Sequence, residues 1–283
     1  MRILFIGDIV GKPGRKIVAQ ALPGLRQREQ LDLIIANAEN AADGSGITPK
    51  IYRELIAAGL DCITLGDHIY RRVEITSVLE SETNIVKPAN YPDEAPGRTW
   101  AVVEAANGVS VAVISVMGRV YMRPVDCPFK ALDRVLAEIP ADIKVRFVDI
   151  HAEATSDKQV IGRYLDGRVS AALGTHTHVP TADEQIFPGG TAFQCDVGMT
   201  GPYESILGRK IDRVTQATVT FRPTPFQVAT EDRRICGAIV DVDSETGCAT
   251  TIKRVMINEQ EAIALQADCE PSSQAPVAQS PSG

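Results

Sequence analysis

Four histidines occur in the chain, at positions 68, 151, 176 and 178, and each follows a short apolar run. His68 closes Ile63-Thr64-Leu65-Gly66-Asp67-His68, His151 closes Val145-Arg146-Phe147-Val148-Asp149-Ile150-His151, and His176 and His178 follow Ala171-Ala172-Leu173-Gly174-Thr175. Asp8 stands in the same relation to the run Ile3 to Ile6, and Glu39-Asn40 to the run Leu33 to Ala36. Imidazole nitrogens and carboxylate oxygens are the donors that first-row transition metals take in hydrolytic sites, where one carboxylate can bridge two ions. No thiolate joins the set, which points away from structural zinc. The expected chemistry is metal-assisted hydrolysis of a small anionic substrate.

Each residue also has a blander reading. Asp8 could cap the helix expected from Gly14, but it lies six residues away, too far for a cap. Glu39 taken alone reads as a solvated loop acid, and His68 as an imidazole bonded to backbone. Asp149 and Glu153 are candidates for orienting His151. In an extended segment residues two apart project to one side, so His176 and His178 are expected to face the same site. The run Gly7-Asp8-Ile9-Val10-Gly11-Lys12-Pro13 is not a phosphate loop: three residues separate its glycines and Pro13 follows Lys12, where that loop needs four and a Ser or Thr. Lys12 and Arg15 remain weak candidates for holding a phosphate near Asp8.

Position makes the difference. Apolar runs at Ile3 to Ile6, Leu31 to Ala36, Cys62 to Leu65, Val111 to Val116, Val145 to Ile150 and Val169 to Leu173 read as strands. Amphipathic segments at Gly14 to Glu29, Pro49 to Ala58, Phe129 to Glu138 and Ala154 to Tyr164 read as helices between them. Thr48 before Pro49 is an N-cap followed by proline at the first helical position. From about Thr191 the texture turns to β-rich runs at Ala217 to Phe221, Ile235 to Asp243 and Thr250 to Met256. The expectation is an α/β domain over residues 1–269, with two packed sheets flanked by helices. In such sheets the loops beyond the carboxyl ends of strands form the ligand crevice, and the candidate residues all fall there.

With 283 residues, 44% of them hydrophobic, the chain supports a substantial core. A net charge of −7 disfavours long RNA and an anionic membrane surface as partners. Six cysteines without a C-x-x-C pair are expected to be reduced. The apolar opening is too short for a secretory signal and no later run is long enough to span a bilayer, so a cytoplasmic protein with no membrane partner is expected. Residues 270–283, rich in Pro, Ser, Gln and Ala, read as a flexible C-terminal tail.

The set Gly7-Asp8-Ile9-Val10-Gly11, Asn37-Ala38-Glu39-Asn40, Gly66-Asp67-His68, His151-Ala152-Glu153 and Gly174-Thr175-His176-Thr177-His178-Val179 resembles the YmdB-type family of bacterial calcineurin-like metallophosphoesterases. Lys87-Pro88-Ala89-Asn90-Tyr91-Pro92, Gly118-Arg119-Val120 and Asp196-Val197-Gly198-Met199-Thr200-Gly201 extend the likeness, which runs from residue 1 to about 260. The resemblance implies a metallophosphoesterase sandwich of two packed mixed β-sheets, holding two transition-metal ions. Iron or manganese is implied, and zinc is accepted by the same donors. It implies hydrolysis of phosphodiesters, including 2′,3′-cyclic nucleotides such as 2′,3′-cAMP. By that likeness Asp8, His178 and Asn40 hold the first metal, Asp67, His151 and His176 hold the second, and Glu39 bridges them. His68 is then the general acid.

Two departures stand out. The wider superfamily opens with Asp-x-His, where this chain has Val10, and the family reads Gly-Asn-His, where this chain has Gly66-Asp67-His68. Asp67 remains an oxygen ligand but adds negative charge beside a phosphodiester. Two metals about 3.5 Å apart lower the pKa of a bridging water, whose hydroxide attacks phosphorus in line. An imidazole with an ordinary pKa of about 6.5 suits protonation of the leaving oxygen, a role contributing roughly 10²- to 10⁴-fold. The alternative is a metal-bound regulatory or scaffolding protein with little turnover. A homo-oligomer is expected on general grounds.

Overall fold

The structure is a computed structural model that describes residues 1–269; the tail expected over 270–283 lies outside the described residues. Its strands are β1 (Arg2–Ile6), β2 (Leu33–Asn37), β3 (Cys62–Thr64), β4 (Ile85–Val86), β5 (Trp100–Glu104), β6 (Ser110–Met117), β7 (Val145–His151), β8 (Ala171–Thr175), β9 (Gln185–Ile186), β10 (Ala192–Gln194), β11 (Gly201–Pro202), β12 (Arg233–Val242) and β13 (Ala249–Asn258). Its helices are α1 (Gly11–Glu29), α2 (Pro49–Ala57), α3 (Thr76–Ser81), α4 (Pro128–Glu138), α5 (Thr155–Tyr164), α6 (Ile211–Thr220) and α7 (Glu259–Cys269).

Period-two alternation along the central strands builds the layers. In β1, Ile3 and Phe5 turn inward to meet Val113, Val145 and Phe147, whereas Leu4 and Ile6 turn outward to Ile17, Leu22 and Leu25 of α1. In the second sheet, Val113 and Phe147 face the first sheet while Ile114, Val148 and Ile150 face α4 and α5. Strands covered on both faces read as unbroken apolar runs, which is why they are legible. The first sheet runs β11-β12-β1-β2-β3-β4 with β13 paired to β12, and the second runs β5-β6-β7-β8-β10-β9. Strands β1 to β4 are mutually parallel, as are β6, β7, β8 and β10, while β5, β9, β11, β12 and β13 pair antiparallel. Both sheets are therefore mixed, and helices cover the two outer faces.

Thr48 caps α2 by accepting from the Ile51 N–H at 3.3 Å, ahead of Pro49. The strand expected at Ala217 to Phe221 is instead the end of α6, with Phe221 in the left-handed region beyond it. Its Val and Thr residues suggested β structure, but each costs a helix only tenths of a kcal/mol, and Ile211, Val214 and Ala217 keep a helical stripe. No residue of α6 is buried, so no packing signal distinguished the two readings. Strand β5 and helix α7 were not anticipated, and β10 joins β8 in parallel within the region expected to be antiparallel. Cys62, Cys195 and Cys236 are buried free thiols. Among the described residues no helix is long and apolar enough to cross a membrane.

The two sheets meet at Phe5 and Phe147, whose ring centroids are 4.8 Å apart in a tilted contact. Phe147→Ala should destabilise the fold by about 3–5 kcal/mol through the cavity it leaves. A shift in the urea unfolding midpoint at constant slope is the measurement that checks this.

Candidate metal centre

Five parallel strands, three from one sheet and two from the other, end along one crevice. Asp8 lies two residues beyond β1, Glu39 and Asn40 follow β2, Asp67 and His68 follow β3, His151 is the last residue of β7, and His176 and His178 follow β8. The loops are tied together by main-chain bonds: Ile9 N–H to Asn37 O at 2.9 Å, Gly11 N–H to Asn40 O at 2.9 Å, and Ala38 N–H to Thr64 O at 3.1 Å. Asp8, Glu39 and His151 are fully buried and Asn40 is nearly so.

The side chains form two groups that share Glu39. In the first, His178 Nε2 faces Asp8 Oδ1 at 3.7 Å and Asn40 Nδ2 at 3.4 Å, and Asn40 Nδ2 also reaches Asp8 Oδ1 and Glu39 Oε1 at 3.4 Å each. In the second, Glu39, Asp67, His151 and His176 each offer a donor atom within 4.8 Å of the others. His151 Nε2 lies 3.1 Å from Glu39 Oε1 and 3.2 Å from Asp67 Oδ1, and His176 Nδ1 lies 3.1 Å from His151 Nε2. His68 sits between the groups. Its N–H donates to Glu39 Oε2 at 2.8 Å, its Nδ1 meets Asn40 Oδ1 at 2.7 Å, and its Nε2 is 3.7 Å from Asp67 Oδ2.

The hydrogen bonds behind the imidazoles fix which nitrogen each presents. Thr175 Oγ1 donates its proton to Asp149 Oδ1 at 2.6 Å, so it accepts from His151 Nδ1 at 2.9 Å, and Nε2 is turned into the second group. His178 Nδ1 donates to Leu207 O at 3.3 Å, which turns its Nε2 to Asp8 and Asn40. Such backing partners are what hold a metal-binding imidazole in one tautomer. Gly66 has to lack a side chain, because a Cβ there would stand 2.2 Å from the His151 ring.

Electrostatics follow from three carboxylates crowded among imidazoles. Burial alone would raise the pKa of Asp8, but the hydrogen bond and charge of His178, with the charge of His151, outweigh it and hold the carboxyl well below its ordinary range. Asp67 is held low in the same way by His151, His68 and His176 against its own burial. For His151, burial opposes protonation, yet Glu39 and Asp67 prevail and raise its pKa well above 6.5. His176 is lowered, by burial and then by the charge of His151. Asp149 is pushed up to about 6 by burial, which the charge of His151 and the donors Thr175, Thr64 and Asn37 only partly offset. Buried carboxylates in this number require positive charge beside them, which either protonated imidazoles or metal ions supply. The donor set therefore fits a pair of transition-metal ions.

Several sequence expectations need correction. His176 and His178 do not project from an extended strand: their φ angles are 89° and 64°, both in the left-handed region, and the two imidazoles enter different groups. The backbone is bent by its anchors, since the His176 N–H donates to Asp8 Oδ2 at 3.0 Å and Thr177 donates to Asp196 Oδ2 through both N–H and Oγ1. Asp149 does not touch His151 but reaches it through Thr175. Glu153 contacts His176 Nε2, at 3.1 Å, and not His151. Lys12 and Arg15 line a groove between α1 and α2 outside the crevice, where Arg15 pairs with Glu54 at 2.5 Å.

Lys158, Thr64 and Arg209 were not foreseen. Lys158 sits on α5, where a lysine reads as solvated, yet its side chain is 1% exposed and its Nζ lies 2.8 Å from Asp196 Oδ2 and 2.9 Å from Thr177 Oγ1. Glu39, Asn40, His68, Glu153, His176 and His178 line a cavity of about 400 Å³ that also includes Val10, Gly44, Thr177, Val179, Leu207 and Arg209. That volume is within the usual range for a small-molecule site.

A two-sheet sandwich with Asp, Glu, Asn and His side chains gathered at its strand tips defines a phosphatase fold of the metallophosphoesterase type. The chain belongs to the YmdB-like protein family, whose model matches residues 4–255. It is 45% identical over 259 residues to a 2′,3′-cyclic-nucleotide 2′-phosphodiesterase of Bacillus subtilis, covering 92% of this chain and 98% of that one. It is 32% identical to a putative phosphatase/phosphodiesterase of Mycoplasma genitalium, covering 91% and 93%. Among solved structures it superposes on a hypothetical protein of Thermus thermophilus with a TM-score of 0.86 at 45% identity, covering 92% and 100%. A novel phosphatase of Mycoplasma pneumoniae matches with a TM-score of 0.85 at 31% identity, covering 91% and 93%.

The buried Lys158–Asp196 pair holds Thr177, the residue between the two imidazoles. Lys158→Met leaves Asp196 as an uncompensated buried charge and should cost about 3–5 kcal/mol. Urea unfolding should register that loss, and elemental analysis should show reduced metal content as His176 and His178 lose their anchor.

Proposed function

We propose that this protein is a metal-dependent phosphoric diester hydrolase acting on small phosphodiesters, with 2′,3′-cyclic nucleotides as its substrate class. The observation that carries the reading is the meeting of Glu39, Asp67, His151 and His176 in one four-donor cluster, with Asp8, Asn40 and His178 grouped across Glu39. The similarity to the Bacillus subtilis 2′,3′-cyclic-nucleotide 2′-phosphodiesterase supports the choice of substrate.

In this reading Asp8, Asn40 and His178 would hold one ion and Asp67, His151 and His176 the other, with Glu39 shared by the two groups. When bound, the ions supply an activated water and positive charge for the phosphoryl oxygens. Iron and manganese are the proposed occupants, in keeping with nitrogen and oxygen donors. Asn40 would ligate through Oδ1, the atom that also faces His68 Nδ1 at 2.7 Å. A doubly protonated His68 would keep the Nδ1 proton on Asn40 Oδ1 and give the proton on Nε2, the nitrogen nearer Asp67, to the departing ribose oxygen, ending as a neutral imidazole. The same cavity, lined by Val10, Val179 and Leu207, shields that transfer from bulk water. The protein works in this scheme as a cytoplasmic enzyme, and the homo-oligomer expected from general prevalence is retained.

Protein purified without chelator should contain two transition-metal ions per chain. Because His151 is held protonated in the metal-free state, loading at pH 7 should release protons, and less metal should be retained as the pH falls. Calorimetry in buffers of different ionisation enthalpy reads the proton count directly; metal uptake without proton release would contradict the assignment of His151. His68→Ala should lower kcat on 2′,3′-cAMP by roughly 10²- to 10⁴-fold with metal content retained. Loss of metal in that variant would instead make His68 a ligand.

A further inference from the structure

Most charged side chains lining the cavity are carboxylates or imidazoles, and Arg209 is the one guanidinium or ammonium among the described residues there. It is a built feature. Nη1 donates to Asp43 O at 3.0 Å and Nη2 donates to Gly44 O. Gly44 makes this approach possible: its φ is +80°, and a Cβ would stand 2.6 Å from the guanidinium carbon. The Arg209 N–H closes a turn onto Ile206 O at 2.9 Å, and the same turn supplies the Leu207 carbonyl that orients His178. Arg209 is thus fixed relative to the first group of donors.

Its charge has no carboxylate committed to it. Asp43, whose charge acts on Arg209 most, pairs its side chain with Arg72 at 3.4 Å and gives Arg209 only its backbone oxygen. The guanidinium is half-buried. Two of its five N–H donors are spent on carbonyls, leaving others for a ligand. A half-buried arginine that leaves its charge unpaired at the rim of an otherwise acidic cavity is suited to a planar, bidentate anion such as phosphate.

We propose that Arg209 anchors a second phosphate of the substrate, so that the enzyme prefers 2′,3′-cyclic phosphates carrying a 5′-phosphate over the bare cyclic nucleoside. This rests on the phosphodiesterase reading above. A nucleotide 5′-phosphate and the first internucleotide phosphate of a short oligonucleotide offer the same chemistry at that place.

The test uses the full-length, metal-loaded protein as wild type, Arg209→Gln and Arg209→Lys. Turnover is compared for 2′,3′-cAMP, for its 5′-phosphorylated counterpart and for a dinucleotide ending in a 2′,3′-cyclic phosphate. Calorimetry compares adenosine 3′-phosphate with adenosine 3′,5′-bisphosphate. The wild type should favour the doubly phosphorylated member of each pair by about 10- to 100-fold, as expected for a charge-assisted bidentate contact. Arg209→Gln should abolish the preference, and Arg209→Lys should keep part of it, because charge remains while the fork is lost. A preference for the dinucleotide over the 5′-phosphorylated mononucleotide identifies the internucleotide phosphate as the group held. Equal handling of both members by the wild type overturns the proposal. So does an Arg209→Gln variant that weakens both members equally, the behaviour of an arginine that braces its loop or holds the reacting phosphate itself. Should no substrate turn over, the hydrolase reading fails, and the calorimetric preference still decides for or against Arg209.

Discussion

Three carboxylates brought to one crevice, two of them shut away from water, set the terms for everything around them. Asp8 and Glu39 are fully buried and Asp67 lies beside them, so their charge has to be met by something positive at close range. His178 meets Asp8, while His151 and His176 meet Glu39 and Asp67. The same contacts that hold the carboxylates ionised raise the proton affinity of His151. Metal ions are the natural replacement for those protons, since they answer the same negative charge and prefer the same atoms. The cluster is poised for that exchange.

Outside the cluster the fold serves to keep each donor aimed. The row from Asn37 through Asp149 to Thr64 and Thr175 is fully buried and hydrogen-bonded, and it meets His151 Nδ1 through the Thr175 hydroxyl at 2.9 Å, with the Asn37 amide 3.4 Å away. A second row, Lys158 to Asp196 to Thr177, anchors the residue between His176 and His178. Both rows run between sheets or from helix to loop, so the aim of His151, His176 and His178 depends on contacts that span the sandwich. Asp67 adds a negative charge where the family resemblance leads one to expect an amide, and His151, His176 and His68 gather around it.

Much of the architecture was legible because the central strands are covered on both faces and so appear as continuous apolar runs. Residues β1, β2, β3, β7 and β8 of the sheets were found within one or two positions at each end. Where packing supplies no signal, the reading failed: α6 buries nothing and its Thr and Val residues suggested a strand. The extended geometry read for His176 to His178 failed for a different reason. Alternation predicts side-chain direction only while the backbone stays extended, and bonds to Asp8 and Asp196 bend it.

The sequence by itself determined the kind of chemistry, the donor types and the strand tips that carry them, because residue identity and period-two burial are local properties. Tertiary structure alone decided which imidazole faces which carboxylate, that Glu153 belongs to His176, and that Lys158 and Arg209 matter at all. Those pairings join segments as far apart as Asp8 and His178. No spacing along the chain encodes them; they exist only once two sheets have closed over Phe5 and Phe147 and brought five strand ends to one place.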